Sequence, residues 1–179
     1  MSTQEAAGAL QAVLGAMAGP HATPRAGQID AVAALLSGAQ RVLVVQATGW
    51  GKSAVYWAAT LARRDAGAGP TIVISPLLAL MRDQVTAAQS IGIQAATVNS
   101  SNKADWDVVF ERLDRDEIDV LLVSPERLAH PQFRERAMPV LQSSGLLVID
   151  EAHCISDWGF DFRPDYQRIA RLLLDLDAG

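Results

Sequence analysis

The chain has 179 residues and a formal net charge of −5, so its length predicts one domain of the usual ~150 residues rather than an assembly of several. Half of the residues are hydrophobic and a fifth are charged, which is typical of a folded core and excludes a disordered chain. The apolar runs are far shorter than the ~20 residues of a membrane helix, and the acidic balance gives no overall attraction to nucleic acid. A lone cysteine, Cys154, cannot form an internal disulfide, so the composition predicts a cytoplasmic protein in a reducing compartment, without a membrane partner.

The first two predicted elements are helices. Apolar residues recur at helical spacing within residues 2–18, where Ser2 and Glu5 form the pattern of a capping box. A Gly-Pro pair ends this pattern, and a second helical pattern covers residues 29–36.

The period of the apolar residues changes after residue 38. Four short apolar runs are continuous rather than alternating, as in strands buried on both faces, and they cover residues 42–45, 71–74, 120–123 and 146–149. Helical patterns lie at residues 52–66, 77–90, 104–115 and 131–142, with a weaker strand at 94–98 and a last helix within 164–177. Strands that alternate with helices predict an α/β domain of three layers with a largely parallel sheet.

A glycine-containing loop follows the first of these runs and precedes a helix. Two glycines allow backbone amides to turn toward a phosphate, and the helix contributes its positive N-terminal end. In such a loop the lysine reaches the β- and γ-phosphates, and the hydroxyl that follows it completes a Mg²⁺ site. The predicted nucleotide-binding residues of the loop are Thr48, Gly49, Trp50, Gly51, Lys52 and Ser53. Gln46 stands where the strict pattern has its first glycine, and the simpler alternative is a turn with a surface lysine.

Two adjacent acids follow the last apolar run, at a strand end of the kind where α/β domains bind ligands. Asp150 is predicted to bind Mg²⁺ together with Ser53, and Glu151 to orient or deprotonate an attacking water, as nucleotide hydrolysis requires. Lys52, Asp150 and Glu151 are therefore the predicted catalytic residues. Taken alone, the two acids are also compatible with an ordinary helix N-terminus.

Taken together, these motifs resemble those of superfamily 2 helicases, and more closely those of the RecQ DNA helicases. Besides the loop at 47–53, residues 73–85 (VISPLLALMRDQV) are similar to motif Ia of that family, and residues 123–128 (VSPERL) to its S-P-E-R-L block. Residues 150–166 (DEAHCISDWGFDFRPDY) are similar to motif II and the aromatic-rich loop after it. The resemblance covers about residues 20–175.

This resemblance implies the N-terminal, RecA-like lobe of a two-lobe ATP-dependent DNA helicase with 3′-to-5′ polarity, acting in recombination and repair. The implied cofactors are ATP and Mg²⁺, and the implied partners are single-stranded DNA or a junction of single- and double-stranded DNA. We expect an N-terminal helix at residues 1–19 and the ATP-binding lobe at residues 20–179. The second lobe, which would supply an arginine finger, is expected to be missing, so a lone first lobe should bind ATP weakly and turn over little.

The resemblance also implies further nucleotide-site residues. Arg25 and Gln28 match motif 0, in which a glutamine amide can pair with adenine; the alternative is an exposed glutamine near a helix start. His153 is implied to face the hydrolysis machinery or to be a structural histidine. Asp157 and Phe160 stand where the family usually has glutamine and histidine, so we expect weaker coupling of DNA binding to hydrolysis.

Residues implied to contact DNA, or to couple it to hydrolysis, lie in three segments. They are Ser75, Pro76 and Arg82, then Ser124, Pro125 and Arg127, and then Trp158, Phe160, Phe162 and Arg163. Aromatic rings can stack on unpaired bases, at ~1–3 kcal/mol each, and the alternative for the last segment is core packing.

Two other functions remain open at this point. The chain could belong to another superfamily 2 motor, such as an RNA helicase or a double-strand DNA translocase, although the aromatic block at 156–166 argues against this. It could also be a catalytically silent nucleotide-binding module, which would keep the phosphate loop.

Overall fold

The computed structural model describes residues 2–39, 41–99, 105–128 and 130–152. Within these residues the helices are α1 (Thr3–Ala18), α2 (Gln28–Leu36), α3 (Lys52–Asp65), α4 (Leu78–Ser90), α5 (Trp106–Asp114), α6 (Pro125–Leu128) and α7 (Pro131–Gln142). The strands are β1 (Thr71–Ile74), β2 (Ala95–Val98), β3 (Val120–Val123) and β4 (Leu146–Ile149). The predicted alternation of strands and helices is confirmed from β1 onward, and α6 is a short helix that the sequence did not predict.

The four strands form one sheet in the order β2-β3-β1-β4, and every neighbouring pair is parallel. Thr71 lies opposite Val120 on one side and Leu146 on the other, so the strands are in step. Because all four strands run in the same direction, the residues that follow β1, β3 and β4 lie together at the carboxyl-terminal end of the sheet.

Hydrophobic residues cover both faces of this sheet. In β1, Ile72 and Ile74 pack into one core cluster with α5 and α7, whereas Val73 packs into the other with α1, α2 and α3. This alternation is the ordinary pleat of a strand, and it builds a helix-sheet-helix sandwich. The predicted three-layer α/β fold is confirmed.

The N-terminal helix α1 begins with the predicted capping box. The Ser2 side chain accepts from the backbone amide of Glu5, and the Glu5 carboxylate accepts from the backbone amide of Ser2 at 2.5 Å. These bonds hold the pKa of Glu5 below its ordinary value, with the Ser2 backbone amide as the main cause. Leu10 and Val13 are buried against α2 and α3, so α1 packs into the same core as the phosphate-loop helix.

The predicted strand at residues 42–45 is wrong for this structure. No strand is assigned there; Leu43 is 80% exposed and Val45 79% exposed. A run of Val and Leu forms a buried strand only where a neighbouring strand pairs with its backbone. Residues 42–45 have no such partner strand among the described residues.

Two glycines allow the segments before β1 and β4 to approach closely. A β-carbon at Gly69 would lie 2.0 Å from the carbonyl oxygen of Ser143, and one at Gly145 would lie 2.5 Å from the carbonyl oxygen of Gly69. The Gly145 amide donates to the Pro70 carbonyl at 3.0 Å. This contact sets the start of the β1–β4 pair, and hence the position of Asp150 at its far end.

Candidate nucleotide-binding site

The predicted phosphate loop lies directly before α3. Gly51 is the N-cap of α3, has φ +95° and contributes no side-chain cap, and Lys52 is the first helical residue. A helix start without a side-chain acceptor leaves its first-turn amides to be satisfied by water or by a ligand. The local geometry therefore suits an anion at the N-terminus of α3.

The ammonium of Lys52 folds back over the loop. Its Nζ donates to the carbonyl oxygen of Gln46 at 3.0 Å and to that of Ala47 at 3.4 Å. These are exposed, neutral acceptors, which a phosphate oxygen can replace with a stronger charge-assisted bond. The contacts are also compatible with a glycine turn that carries a surface lysine, so the phosphate role of Lys52 stays a prediction.

Gln28 is buried beneath the loop, with 1% of its surface exposed. Its Nε2 donates to the carbonyl oxygens of Trp50 at 3.0 Å and Gly51 at 3.3 Å, while its Oε1 accepts from the Arg25 amide at 2.8 Å. The alternative of an exposed glutamine is therefore wrong. The Arg25 guanidinium adds a second contact, donating from Nη1 to the Gly49 carbonyl.

Gly51 is required by this contact. A β-carbon there would lie 2.7 Å from Nε2 of Gln28, and the positive φ already disfavours any other residue. Trp50 is half-buried and packs against the α1–α3 core, with its ring 3.8 Å from the place of a β-carbon at Gly27. The indole is therefore a packed side chain of the loop rather than a free surface ring.

Asp150 follows β4 at the end of the sheet where the carboxyl ends of the parallel strands lie. Its backbone amide donates to the Ile74 carbonyl at 2.9 Å, which continues the pairing of β4 with β1. Its Oδ1 accepts from the Glu151 amide at 3.0 Å and its Oδ2 accepts from Gln84 Nε2 at 3.2 Å. The backbone and both carboxylate oxygens are thus held.

Tyr56 lies one turn into α3, and its side chain is buried. Burial raises the pKa of its phenol above the ordinary value; the neighbouring Ser53 side chain acts to lower that pKa, and the negative charge of Asp150 raises it further. The Tyr56 hydroxyl is buried and has no hydrogen-bond partner among the described residues.

Glu151 has φ +52°, a left-handed conformation that is unusual for a residue other than glycine. Backbone strain of this kind costs about 1–3 kcal/mol and is concentrated at functional sites. The positive φ lies in the turn that begins directly after β4.

The predicted DNA-contact residues differ in their exposure. Ser75 and Ser124 are fully buried at the ends of β1 and β3, and Arg82 is exposed on α4. The guanidinium of Arg127 lies over the Trp106 ring at 5.5 Å. Of these side chains, Arg82 is the one most open to a large ligand.

Several predicted residues lie outside the described part of the chain. They are His153, Trp158, Phe160, Phe162 and Arg163, together with Cys154 and the predicted helix within 164–177. Their proposed roles stay predictions.

Sequence reasoning missed Gln84, which contacts Asp150, as a residue of this site. Gln84 lies on the buried stripe of α4 with Met81 and Ala88, so a polar residue at a core position was the available signal.

The donors present suit a magnesium ion that is shared with a nucleotide. The described residues contain no group of three or more His, Cys, Asp or Glu side chains able to form a protein cage for a metal. Mg²⁺ in nucleotide sites is usually held by one or two carboxylates and the substrate phosphates, so Asp150 and Ser53 fit this role. Within the described part of the chain, no helix is both long and apolar enough to cross a bilayer.

The fold and the motif at the end of β4 define a RecA-like α/β helicase domain. The family model of the DEAD/DEAH box helicases matches residues 25–177, and the chain belongs to this family.

The curated relatives are named as RecQ-type helicases. The chain is 39% identical over 157 residues to the ATP-dependent DNA helicase RecQ of Bacillus subtilis, covering 85% of the chain and 25% of the relative. It is 41% identical over 149 residues to the protein of the same name from Haemophilus influenzae, covering 83% and 23%. The match to ATP-dependent DNA helicase Q-like 2 of Arabidopsis thaliana is 37% over 154 residues, covering 83% and 21%. The chain thus spans about a quarter of the length of these relatives or less.

Proposed function

We propose that the chain is the ATP-binding lobe of a RecQ-type DNA helicase, which couples ATP hydrolysis to 3′-to-5′ DNA unwinding in recombination and repair. The observation that carries this proposal is the start of α3, where Gly51 provides no side-chain cap and the Lys52 ammonium lies over the carbonyl oxygens of the preceding loop. The similarity to proteins named ATP-dependent DNA helicases supports the choice of ATP and DNA.

Each part of the site has a task in this proposal. The first-turn amides of α3 and Lys52 bind the β- and γ-phosphates, and Ser53 and Asp150 hold Mg²⁺, which neutralises phosphate charge. Glu151 orients or deprotonates the attacking water. Gln28 pairs with adenine after exchanging one of its loop contacts, which links base binding to the shape of the loop.

DNA and a second lobe complete the proposed machine. Arg82 and Arg127 would lie along the DNA backbone, and the aromatic block at 156–166 would contact unpaired bases at a junction. An arginine finger from the second lobe would stabilise the transition state. We also propose that the protein acts in the cytoplasm.

The phosphate-loop assignment is tested by ATP affinity. Lys52→Ala removes a charge-assisted bond to phosphate, so we expect a loss of about 10- to 100-fold in affinity for Mg-ATP, measured by isothermal titration calorimetry. Arg115→Ala is the matched control, because it removes an exposed cation that pairs with Glu111 on α5. Equal affinities for wild type and Lys52→Ala would contradict the assignment.

The role of the acids is tested by turnover. Glu151→Gln should preserve ATP binding and abolish hydrolysis stimulated by single-stranded DNA in the full-length protein. Unchanged turnover would refute the water-orienting role. ATP binding without any hydrolysis in the wild type would instead identify a nucleotide-binding module, and stimulation by RNA alone would identify an RNA helicase.

A further inference from the structure

We propose that Gln84 is a positioning residue that fixes the Asp150 carboxylate for Mg²⁺. The inference rests on the proposed function, because it assigns a task within the same nucleotide site. Gln84 lies 66 positions before Asp150 in the sequence, and its Nε2 donates to Oδ2 of that residue at 3.2 Å.

Gln84 is a buried polar side chain among apolar neighbours, so its hydrogen bond to Asp150 needs an explanation. The side chain is 6% exposed and shares a helix face with Met81 and Ala88, both fully buried. A buried amide among apolar neighbours is costly unless its polar atoms have partners. Its Oε1 has no hydrogen-bond partner among the described residues, so the bond to Asp150 is the one described polar contact of the amide.

The bond to Gln84 completes the support of the carboxylate. The Glu151 amide donates to Oδ1 at 3.0 Å, so each oxygen of Asp150 accepts one hydrogen bond from a different direction. An ionised carboxylate offers about four lone-pair sites, so both oxygens keep capacity for a metal ion or its bound water. The two donors fix the rotation of the group and leave its ligating capacity in place.

The chemistry of an amide suits this task better than that of a cation. A lysine or arginine at position 84 would also donate to Asp150, but its positive charge would compete with Mg²⁺ for the carboxylate. An amide N–H orients the oxygen without neutralising it. Ser75, which follows β1, also has a buried hydroxyl without a partner among the described residues, so this end of the sheet is polar as well as enclosed.

The test separates metal binding from nucleotide binding. Gln84→Met keeps the length of the side chain and removes the donor. We expect it to raise the Mg²⁺ concentration for half-maximal binding of a fluorescent ATP analogue by about five- to tenfold, while affinity without Mg²⁺ changes less than twofold. Thermal unfolding should stay near that of the wild type, because a volume-conserving apolar replacement is tolerated best.

Gln89→Met is the matched control on the same helix. Gln89 also anchors α4 to the sheet, donating from Nε2 to the Ala95 carbonyl at 3.4 Å, but at β2 rather than at Asp150. We expect no change in the Mg²⁺ titration for this variant. If Gln84→Met does not fold, Gln84→Leu repeats the measurement with a second apolar side chain.

Asp150→Asn distinguishes failure of the inference from failure of the proposed function. If the wild type shows no Mg²⁺-dependent binding, or if Asp150→Asn leaves it unchanged, the proposed site itself is wrong. If Asp150→Asn weakens Mg²⁺ binding but Gln84→Met matches the wild type, the positioning role alone is overturned. Equal losses with and without Mg²⁺ in Gln84→Met would show a purely structural role and would also overturn it.

Discussion

Two short apolar segments of this chain have nearly the same composition and opposite environments. Residues 42–45 (VLVV) lead into the phosphate loop, with Leu43 80% and Val45 79% exposed. Residues 71–74 (TIVI) form β1, where each residue is at most 1% exposed and both edges pair with a parallel strand. The difference is one of hydrogen-bond partners rather than of hydrophobicity.

The same contrast divides the candidate site. Asp150 is fixed by the sheet, because its backbone continues the ladder from Ile74 and its carboxylate has two donors. The phosphate loop has no such ladder, and the side chains of Gln28, Arg25 and Lys52 hold its carbonyl oxygens instead. We therefore expect the acidic half to be rigid and the loop half to depend on a few individual contacts.

The largest expected effect compares the two apolar segments directly. Ile72→Ala creates a cavity in the buried β1 and should lower the free energy of unfolding by about 2–5 kcal/mol. Leu43→Ala removes an exposed side chain and should change it by less than about 0.5 kcal/mol. Chemical denaturation measures both, and similar losses would show that residues 42–45 are buried after all.

Gly51→Ala sharpens the account of the loop. Alanine at a positive φ costs about 1–2 kcal/mol, and here the new methyl group would also meet Gln28 at 2.7 Å. Gly49→Ala is the matched control, because its φ is +81° but nothing lies within 4 Å of the added β-carbon. We expect ATP affinity to fall about tenfold further in Gly51→Ala than in Gly49→Ala. Equal affinities would refute the close contact between Gln28 and the loop.

Gln28→Ala tests the buried support of the loop. The substitution removes the side-chain amide that donates to the Trp50 carbonyl and accepts from the Arg25 backbone amide. We therefore expect the free energy of unfolding to fall by about 1–3 kcal/mol. Amide hydrogen exchange at residues 50–52 should speed up in the same variant. A fully stable Gln28→Ala protein with unchanged exchange would mean that the loop is held by other contacts.

The smallest effect is expected at Arg25. Its contact with the Gly49 carbonyl is exposed, so Arg25→Ala should cost less than about 1 kcal/mol in the free energy of unfolding. Comparison with Gln28→Ala by thermal unfolding ranks the buried and exposed contacts. A larger loss for Arg25→Ala would reverse that ranking.

The sequence predicted the sheet better than the loop for a physical reason. Strands β1 and β3 are continuous apolar runs that are buried along their whole length, as the pattern predicted, whereas β4 has the same kind of run but is half-buried at the end of the strand order. Residues 42–45 have the same pattern, but pairing depends on distant strands that no local pattern encodes. The capping box at Ser2 and Glu5 was predictable because all of its atoms lie within one turn.

The residues of the candidate site that lie in short sequence motifs could be predicted from the sequence. Lys52, Ser53 and Asp150 each stand in a recognisable pattern. The contacts of Gln28 with Trp50 and of Gln84 with Asp150 join residues 22 and 66 positions apart, so they became visible only in the fold.

Amide hydrogen exchange with and without Mg-ATP tests the central claim most directly. A nucleotide bound between the phosphate loop and Asp150 should slow exchange at residues 47–54 and at 150–151, and leave β2 unchanged. Lys52→Ala should remove this protection at the same nucleotide concentration. Protection confined to another surface, or no protection at the loop under saturating Mg-ATP, would contradict the account.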